Sequence, residues 1–360
     1  MTRILTVSLV TLGDPGRLTG GYRYHRQMAE LAPACDASVR FVSFPDRAFP
    51  LPALAGPAVL RQTRADVLVL DSIAAAFLGP WLLRRPRMPV VGSLHQPPGG
   101  IDHGPLRRGV QAPLDRLAYR RARLLLVASQ ALGDELAGQG VSPERIRVVP
   151  PGRDLPAAPT GPPLDLRQGR SAGLLCVANW VERKGILDLL DAVARLPAEL
   201  ATLHLAGDDR ADPRYGDRVR ARLSRPDLTG RVVVHGPLPA DRVAALYRAA
   251  DVFVLPSLVE PYGTVWGEAM AAGLPVVGWR AGNLPHLAEH GREGLLASPG
   301  DVAALSAALA SLAGDEDLRR RMAAAAERRA ADRPTWAQSA GLFFAALREA
   351  ASAGQATGPA

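Results

Sequence analysis

Two glutamates, Glu260 and Glu268, lie on either side of a short loop and the first turns of a predicted helix. The apolar run DVFVLPS precedes them and predicts a buried strand that ends at Pro256 and Ser257. A helix that begins just after a strand directs unpaired N–H groups and partial positive charge at that edge of the sheet. Such an edge favours phosphate, and flanking carboxylates can hold hydroxyl groups. Taken alone, the spacing also fits two solvated glutamates on an ordinary helix.

The cations of the chain offer the other half of a phosphate site. Lys184 is the only lysine, and it follows Arg183 in CVANWVERKGILDLL, between a predicted strand and a predicted helix that begins near Gly185. Fixed cations at this position can neutralise the charge of a departing phosphate with little reorganisation. Lysine suits the role because its charge is compact and its donors rotate. The alternative is a solvated basic pair at a helix start, which the helix dipole disfavours.

Strands and helices alternate through both halves of the chain, which predicts an α/β protein with parallel sheets covered on both faces. The candidate strands are ILTVSLV, VRFVSF, DVLVLD, PVVGSL, RLLLVAS and RIRVVP, then GLLCVA, LATLHLAG, RVVVHG, DVFVLP, PVVGW and EGLLAS. The Pro- and Gly-rich segment from Asp154 to Leu164 is the predicted linker. Two Rossmann-like domains that face each other place ligands at the carboxyl ends of their strands.

The segment EPYGTVWGEAMAAGLPVVG resembles the signature of glycosyltransferase family 4, retaining enzymes with the GT-B fold that use nucleotide-sugar donors. The resemblance spans nearly the whole chain. It implies an N-terminal acceptor domain over 1–155 and a C-terminal donor-binding domain over 156–334. A helix over about 335–350 is expected to pack back on the N-terminal domain.

The resemblance also assigns residues of the second half to the donor. Glu260 is expected to contact the donor sugar, Glu268 the ribose, and Leu238 the base. Arg183 and Lys184 are expected to hold the diphosphate. The amides expected to contact sugar and phosphate are those of Tyr262, Gly263, Thr264 and Val265.

In the first half, Gly20 and Gly21 follow the first predicted strand and allow a ligand to approach the backbone closely. Family members carry a glycine pair here, against the donor phosphates. His95 follows an apolar strand in PVVGSLHQPPGG, where the family has a histidine near the reaction centre. The resemblance therefore implies His95, Glu260 and Lys184 as catalytic residues, although a single histidine at a strand end is often structural.

The chain departs from the family pattern at two positions. Relatives usually have an arginine a few residues before the lysine, where this chain has neutral Asn179. Either Arg183 supplies the second positive charge, or the phosphate is held less firmly. His286 stands where relatives generally carry glutamate, so we assign it no catalytic role.

Composition restricts the possible partners. The net charge of +8 is spread along the chain without a basic motif interleaved with aromatic residues, so we expect no nucleic acid partner. Two distant cysteines and the lack of a signal peptide or bilayer-spanning run predict a cytoplasmic protein. No cluster has metal-ligand spacing, so we expect metal-independent catalysis and no cofactor. The stretch from Arg107 to Arg123 fits either a weak peripheral contact with an anionic membrane or a solvated helix face.

The predicted reaction is transfer of a hexosyl unit from a UDP- or GDP-linked sugar to an unidentified acceptor, which is a small molecule, a glycan or a lipid. The alternative is a sugar-nucleotide epimerase or a phosphorylase on the same fold. A pyridoxal-phosphate-dependent phosphorylase needs a Schiff-base lysine. Lys184 is the only candidate, and its position favours a phosphate contact instead. A third hypothesis, based on the net charge alone, is a non-enzymatic protein that binds nucleic acid or anionic surfaces.

Overall fold

The structure is a computed structural model that describes residues 3–16, 20–83, 88–157 and 164–355. It divides into two compact units, one of Met1–Gly152 with Pro334–Ala360 and one of Arg153–Arg333. The predicted linker covers 154–164, of which residues 158–163 lie outside the described ranges.

The first unit contains a six-stranded parallel sheet in the order β2-β1-β3-β4-β5-β6. Its strands are β1 (Leu5–Leu12), β2 (Ala37–Phe44), β3 (Val67–Asp71), β4 (Val90–Leu94), β5 (Leu124–Val127) and β6 (Ile146–Val148). Every residue of β3, β4 and β5 is buried, as expected for short Val- and Leu-rich strands that helices cover on both faces.

The second unit repeats this arrangement with the order β12-β11-β10-β7-β8-β9, again with parallel pairing. Its strands are β7 (Ala172–Val177), β8 (Ala201–Ala206), β9 (Val232–Gly236), β10 (Val252–Val254), β11 (Val276–Trp279) and β12 (Gly294–Ala297). The strand order makes β7, β10 and β11 neighbours, so the loops at their carboxyl ends lie together.

Most helices connect successive strands, and the last three follow β12. Within the described ranges they are α1 (Gly20–Leu31), α2 (Gly56–Gln62), α3 (Ala75–Leu78), α4 (Pro105–Arg121), α5 (Gln130–Gly138), α6 (Ile186–Ala194), α7 (Pro213–Leu223), α8 (Ala240–Ala249), α9 (Thr264–Ala271), α10 (Leu284–Leu287), α11 (Val302–Gly314), α12 (Glu316–Ala331) and α13 (Trp336–Gln355). Several begin at a capping side chain: Asp212, Asp301 and Asp315 each accept an N–H of the first turn.

The last helix belongs to the first unit although it comes from the end of the chain. Trp336, Phe343, Phe344 and Leu347 of α13 are buried among core residues of β1, β3, β4 and β5. Ser339 adds a hydrogen bond to the carbonyl of Pro150 at 2.7 Å.

The structure confirms the predicted fold class, because each candidate strand forms and each sheet is parallel. One local difference concerns the predicted helix start near Gly185. A short 3-10 helix, Glu182–Lys184, precedes Gly185, and α6 begins only at Ile186. Gly185 separates the two because its φ of 66° lies in the left-handed region.

Candidate functional site

Three loops of the second unit meet at the carboxyl ends of β7, β10 and β11. The first carries Arg183 and Lys184 in the 3-10 turn before Gly185. A side chain at Gly185 would overlap the carbonyl oxygen of Pro256 in the loop after β10, so this close approach requires glycine. Leu258 N–H then donates to the carbonyl of Arg183 at 2.8 Å, which fastens the two loops.

The two predicted cations converge on the first predicted carboxylate. The ammonium group of Lys184 contacts Glu260 Oε2, and Arg183 Nη1 lies 3.4 Å from the same oxygen. Arg183 also donates to the carbonyl of Val259 at 3.1 Å. The side chains are 12 % exposed for Lys184, 15 % for Glu260 and 20 % for Arg183, which rules out the freely solvated basic pair. Two cations therefore meet at one carboxylate oxygen in this cluster.

The third loop fixes the backbone around Glu260. Asn283 N–H donates to the carbonyl of Glu260 at 3.0 Å, and its side-chain amide donates to the carbonyl of Tyr262 at 2.8 Å. A Cβ on Gly282 would come within 2.9 Å of the Glu260 nitrogen. The loop conformation from Glu260 to Tyr262 is therefore imposed by β11 and the residues after it.

Helix α9 begins directly beyond this loop at Thr264, followed by Val265. Its N-cap, Gly263, has a φ of 78°, and a side chain there would overlap the ring of buried Trp266. The N–H groups of the first turn of a helix have no partner within the helix. The amides predicted for sugar and phosphate contact therefore lie at a helix N-terminus, next to the cluster of Glu260.

Glu268, predicted to hold a ribose, lies about one turn into α9 and is only 3 % exposed. Its Oε2 accepts the hydroxyl of Tyr247 at 3.2 Å. Nearby, burial raises the pKa of Tyr262, whereas the charge of Arg333 and its hydrogen bond to the phenol oppose that rise. Glu268 is thus buried within the second unit, in contact with the hydroxyl group of Tyr247.

Other sequence-based candidates occupy different surroundings. Leu238 lies between β9 and α8, half-buried against the core of the second unit. The side-chain oxygen of Asn179 accepts the N–H of Asp208 at 3.1 Å, so this position orders a neighbouring loop. His286, in α10, is exposed.

In the first unit, the structure brings the glycine pair and His95 together. Gly20 and Gly21 are the first residues of α1, and a Cβ on Gly21 would lie 3.6 Å from His95 Cδ2. His95 is half-buried just beyond β4. Burial and the neighbouring charge of His25 lower the pKa of His95 to about 3, whereas Asp71 acts in the opposite direction. His95 is therefore neutral near physiological pH.

The loop after His95 is anchored by a buried carboxylate. Asp115 of α4 accepts the N–H of Gly99 at 2.8 Å, and Gly99 has a φ of 95°. Burial raises the pKa of Asp115 to about 6, although hydrogen bonds from Gly99 and Gln111 act against it. A carboxyl group with a raised pKa in the folded state binds its proton more tightly there, so its contribution to stability falls as pH rises from about 4 through about 6.

We therefore expect Asp115→Asn to increase the free energy of unfolding near neutral pH by up to about 2 kcal/mol, because one unit of pKa corresponds to about 1.4 kcal/mol. The variant keeps an oxygen for the Gly99 N–H. When unfolding by denaturant is measured across this pH range, the free energy of unfolding of Asp115→Asn should change less with pH than that of the wild type. The matched control is Asp134→Asn, at an exposed position. Equal stability of Asp115→Asn and wild type at every pH would contradict this account.

Sequence reasoning missed Asn283, Gly185 and Gly282, which shape the loops without contributing a charge. The clue for Asn283 and Gly282 lies in AGNLPH, where Gly-Asn follows a predicted strand and is typical of a constrained turn. Which backbone carbonyls Asn283 would hold depends on the strand order, which local sequence does not specify.

Among the side chains that the structure describes, no group of three or more His, Cys, Asp or Glu is arranged to hold a metal ion. No helix within the described ranges is long and apolar enough to cross a membrane.

Comparison with known families agrees with the two-unit division. Residues 5–156 match the profile described as Glycosyltransferase Family 4, and residues 171–315 match that of Glycosyl transferases group 1. The chain is 33% identical over 247 residues to D-inositol 3-phosphate glycosyltransferase of Corynebacterium jeikeium, covering 65% of this chain and 59% of that protein. It is 31% identical over 296 residues to glycogen synthase of Mycobacterium tuberculosis, covering 74% of this chain and 68% of that protein.

Similarity to solved structures establishes the fold. The chain superimposes on Anabaena Alr3699/HepE in complex with UDP and glucose with a TM-score of 0.80 at 22% identity, covering 96% of this chain and all of that one. The arrangement of two six-stranded parallel sheets is thus the GT-B fold. Together, the matched profiles, the relatives and the fold show that the chain belongs to glycosyltransferase family 4.

Proposed function

We propose that this protein transfers a hexosyl unit, with retention of anomeric configuration, from a nucleoside diphosphate sugar to a hydroxyl-bearing acceptor. The observation that supports it most directly is the convergence of Lys184 and Arg183 on Glu260 beside the N-terminus of α9. The HepE structures contain UDP, glucose or UDP-glucose, which supports a donor of this class. The relatives give no support to the epimerase or phosphorylase alternative.

The charge of the cluster suggests how a donor is bound. Without a ligand, Glu260 balances part of the charge of Lys184 and Arg183. A diphosphate, which carries more negative charge than one carboxylate, competes with Glu260 for both cations. In this proposal, Lys184 and Arg183 pair with the diphosphate, and Glu260 is released to accept hydrogen bonds from the hexose.

The N-terminus of α9, the fixed cations and the first unit each have a role in this proposal. The first N–H groups of α9 add donors for the phosphate or the sugar. Cations and amides fixed before the reaction stabilise the departing diphosphate with little reorganisation. This supports the expectation that the reaction requires no metal. In the first unit, His95 and the Gly20–Gly21 helix start remain the candidates for contact with the reacting sugar.

A thermal-shift screen of UDP- and GDP-linked hexoses tests the proposal, because a ligand that binds only the folded state raises the unfolding temperature. The best donor is then incubated with candidate acceptors, and the products are analysed by NMR to read the anomeric configuration. We expect stabilisation by one nucleotide sugar and a product with the configuration of the donor. An inverted product, or epimerised donor without transfer, would refute the proposal.

We also propose that the acceptor is bound to a membrane that the protein contacts through α4. Helix α4 exposes Leu106 and Val110, which are 90 % and 57 % exposed, close to the arginines of the basic stretch. Leu114 and Leu117 of the same helix, by contrast, are half-buried, so these two side chains partly face the fold.

We expect the protein to sediment with anionic liposomes at low salt, and we expect this binding to weaken as salt screens the arginines. Replacing both Leu106 and Val110 by serine should reduce binding further, since apolar insertion is lost. Leu342→Ser, at an exposed leucine of α13, is the matched control. Liposomes that leave the wild type in the supernatant at low salt would exclude this contact.

A further inference from the structure

A buried polar cluster lies beneath His95 in the first unit, at the carboxyl ends of three adjacent strands. Asp71 ends β3, Ser93 lies on the neighbouring β4, and Thr11 lies on β1 at the other side of β3. His25 reaches the same place from α1. Thr11, His25, Asp71 and Ser93 are all buried, whereas His95 is half-buried.

Close approaches between these side chains run from the interior of the first unit to His95. Thr11 Oγ1 donates to Asp71 Oδ2 at 2.7 Å, and His25 Nδ1 lies 3.4 Å from the same carboxylate oxygen. His25 Nε2 lies 3.1 Å from Ser93 Oγ and 3.1 Å from His95 Nε2. Tyr24 packs edge-on against the His95 ring, with centroids 4.6 Å apart.

Asp71 is a buried, ionised carboxylate that affects the protonation of the histidines near it. Burial acts to raise the pKa of Asp71, but the charge of His25 and the hydrogen bonds outweigh it, so the pKa lies below its ordinary value. A buried carboxylate needs a compensating positive charge. His25 is the side chain in contact with Asp71 that can supply this charge, because its Nδ1 lies 3.4 Å from Asp71 Oδ2.

Ser93 Oγ lies within 3.5 Å of both Nε2 atoms, and because these two atoms are 3.1 Å apart, only one of them can direct a proton at the other. When His25 supplies it, His95 Nε2 must accept, and neutral His95 then carries its own proton on Nδ1. We propose that Asp71 and His25 are positioning residues that fix the tautomer of His95, so that His95 presents an Nδ1–H donor to the sugar.

This assignment restricts the chemistry of His95. A neutral imidazole whose Nε2 is occupied by His25 neither removes a proton through that atom nor carries a positive charge. It can hold a sugar hydroxyl by donation from Nδ1. The consequence for catalysis depends on the proposed function, whereas the tautomer itself does not.

The test is NMR of the full-length protein labelled with ¹⁵N at its seven histidines, with His95 assigned from the spectrum of His95→Gln. Two-bond ¹H–¹⁵N correlations distinguish the two neutral tautomers and the cation. We expect wild-type His95 to be neutral and protonated at Nδ1 near neutral pH. Protonation at Nε2, or a cationic ring, would overturn the proposal without any need for a variant.

Asp71→Asn tests the origin of the tautomer. Without the carboxylate, His25 loses its counter-charge, keeps one proton for the amide oxygen, and becomes an acceptor at Nε2. His95 should then switch to the Nε2–H form. Thr11→Val removes the hydrogen bond to the same carboxylate but keeps its charge, so His95 should stay protonated at Nδ1. An unchanged tautomer in folded Asp71→Asn would show that Asp71 does not set it.

The effect of the His95 tautomer on catalysis is measured separately, by the turnover number and the donor KM. We expect Asp71→Asn to lower the turnover number by about 100-fold, as for loss of one correctly placed proton, with the donor KM nearly unchanged. A switched tautomer with wild-type turnover would refute the catalytic role of the tautomer. Failure of wild-type protein to transfer any sugar would instead count against the proposed function and leave the NMR result standing.

Discussion

Replacing Lys184 by alanine should lower the turnover number by about two to three orders of magnitude, the usual effect of removing one preorganised charged donor. The variant removes the only ammonium side chain of the chain and leaves Glu260 facing Arg183 alone. One of the two positive charges at the Glu260 carboxylate is lost, so the affinity for UDP or GDP should fall as well. Initial rates with the donor found by thermal shift, together with calorimetric titration of the nucleotide, measure both effects.

The matched control is Arg218→Ala, which removes a cation that pairs with Glu182 of the same 3-10 turn. Both side chains of this pair are well exposed, and exposed ion pairs contribute little. Arg218→Ala should therefore keep wild-type turnover and nucleotide affinity. Wild-type turnover in Lys184→Ala, or an equal loss in both variants, would refute the assignment of Lys184 to the diphosphate.

Replacing Glu260 by glutamine should have opposite effects on nucleotide binding and on transfer. The neutral side chain no longer competes with the diphosphate for Lys184 and Arg183. We expect UDP or GDP to bind about tenfold more tightly, a change of about 1.4 kcal/mol, which is in the range for a hydrogen bond to a charged group. Transfer should slow by about 100-fold, because the carboxylate that orients the hexose and balances charge is lost.

Glu182→Gln provides the control, since it changes an exposed carboxylate three residues or fewer from both cations without touching Glu260. It should leave nucleotide affinity and turnover unchanged. Weaker nucleotide binding in Glu260→Gln would contradict the competition between carboxylate and diphosphate.

The fold was predictable because each strand is a short apolar run bounded by turn residues, and such runs encode burial locally. VLVLD and PVVGW, for example, correspond to β3 and β11. The family signature assigned Lys184 and Glu260 to the same donor, but their direct pairing was not predicted. Physically it depends on β7 and β10 being neighbours, a long-range property that no local pattern expresses.

The buried polar cluster beneath His95 likewise could not be predicted from local sequence patterns. His25 and Asp71 carry no spacing that relates them to His95, because they come from a helix and from a different strand. Sequence alone identifies His95 by its position at a strand end and leaves its protonation undefined. The order of β1, β3 and β4 brings a carboxylate and a second imidazole to it.

The proposed function depends on Lys184 and Arg183 holding the diphosphate of a nucleotide sugar and releasing Glu260 to the hexose. A crystal structure of the protein with its donor tests this most directly. We predict that the Lys184 ammonium and the Arg183 guanidinium lie within hydrogen-bonding distance of phosphate oxygens, with the Glu260 carboxylate on a hexose hydroxyl. A donor bound elsewhere, with the contact between Lys184 and Glu260 intact, would contradict the claim.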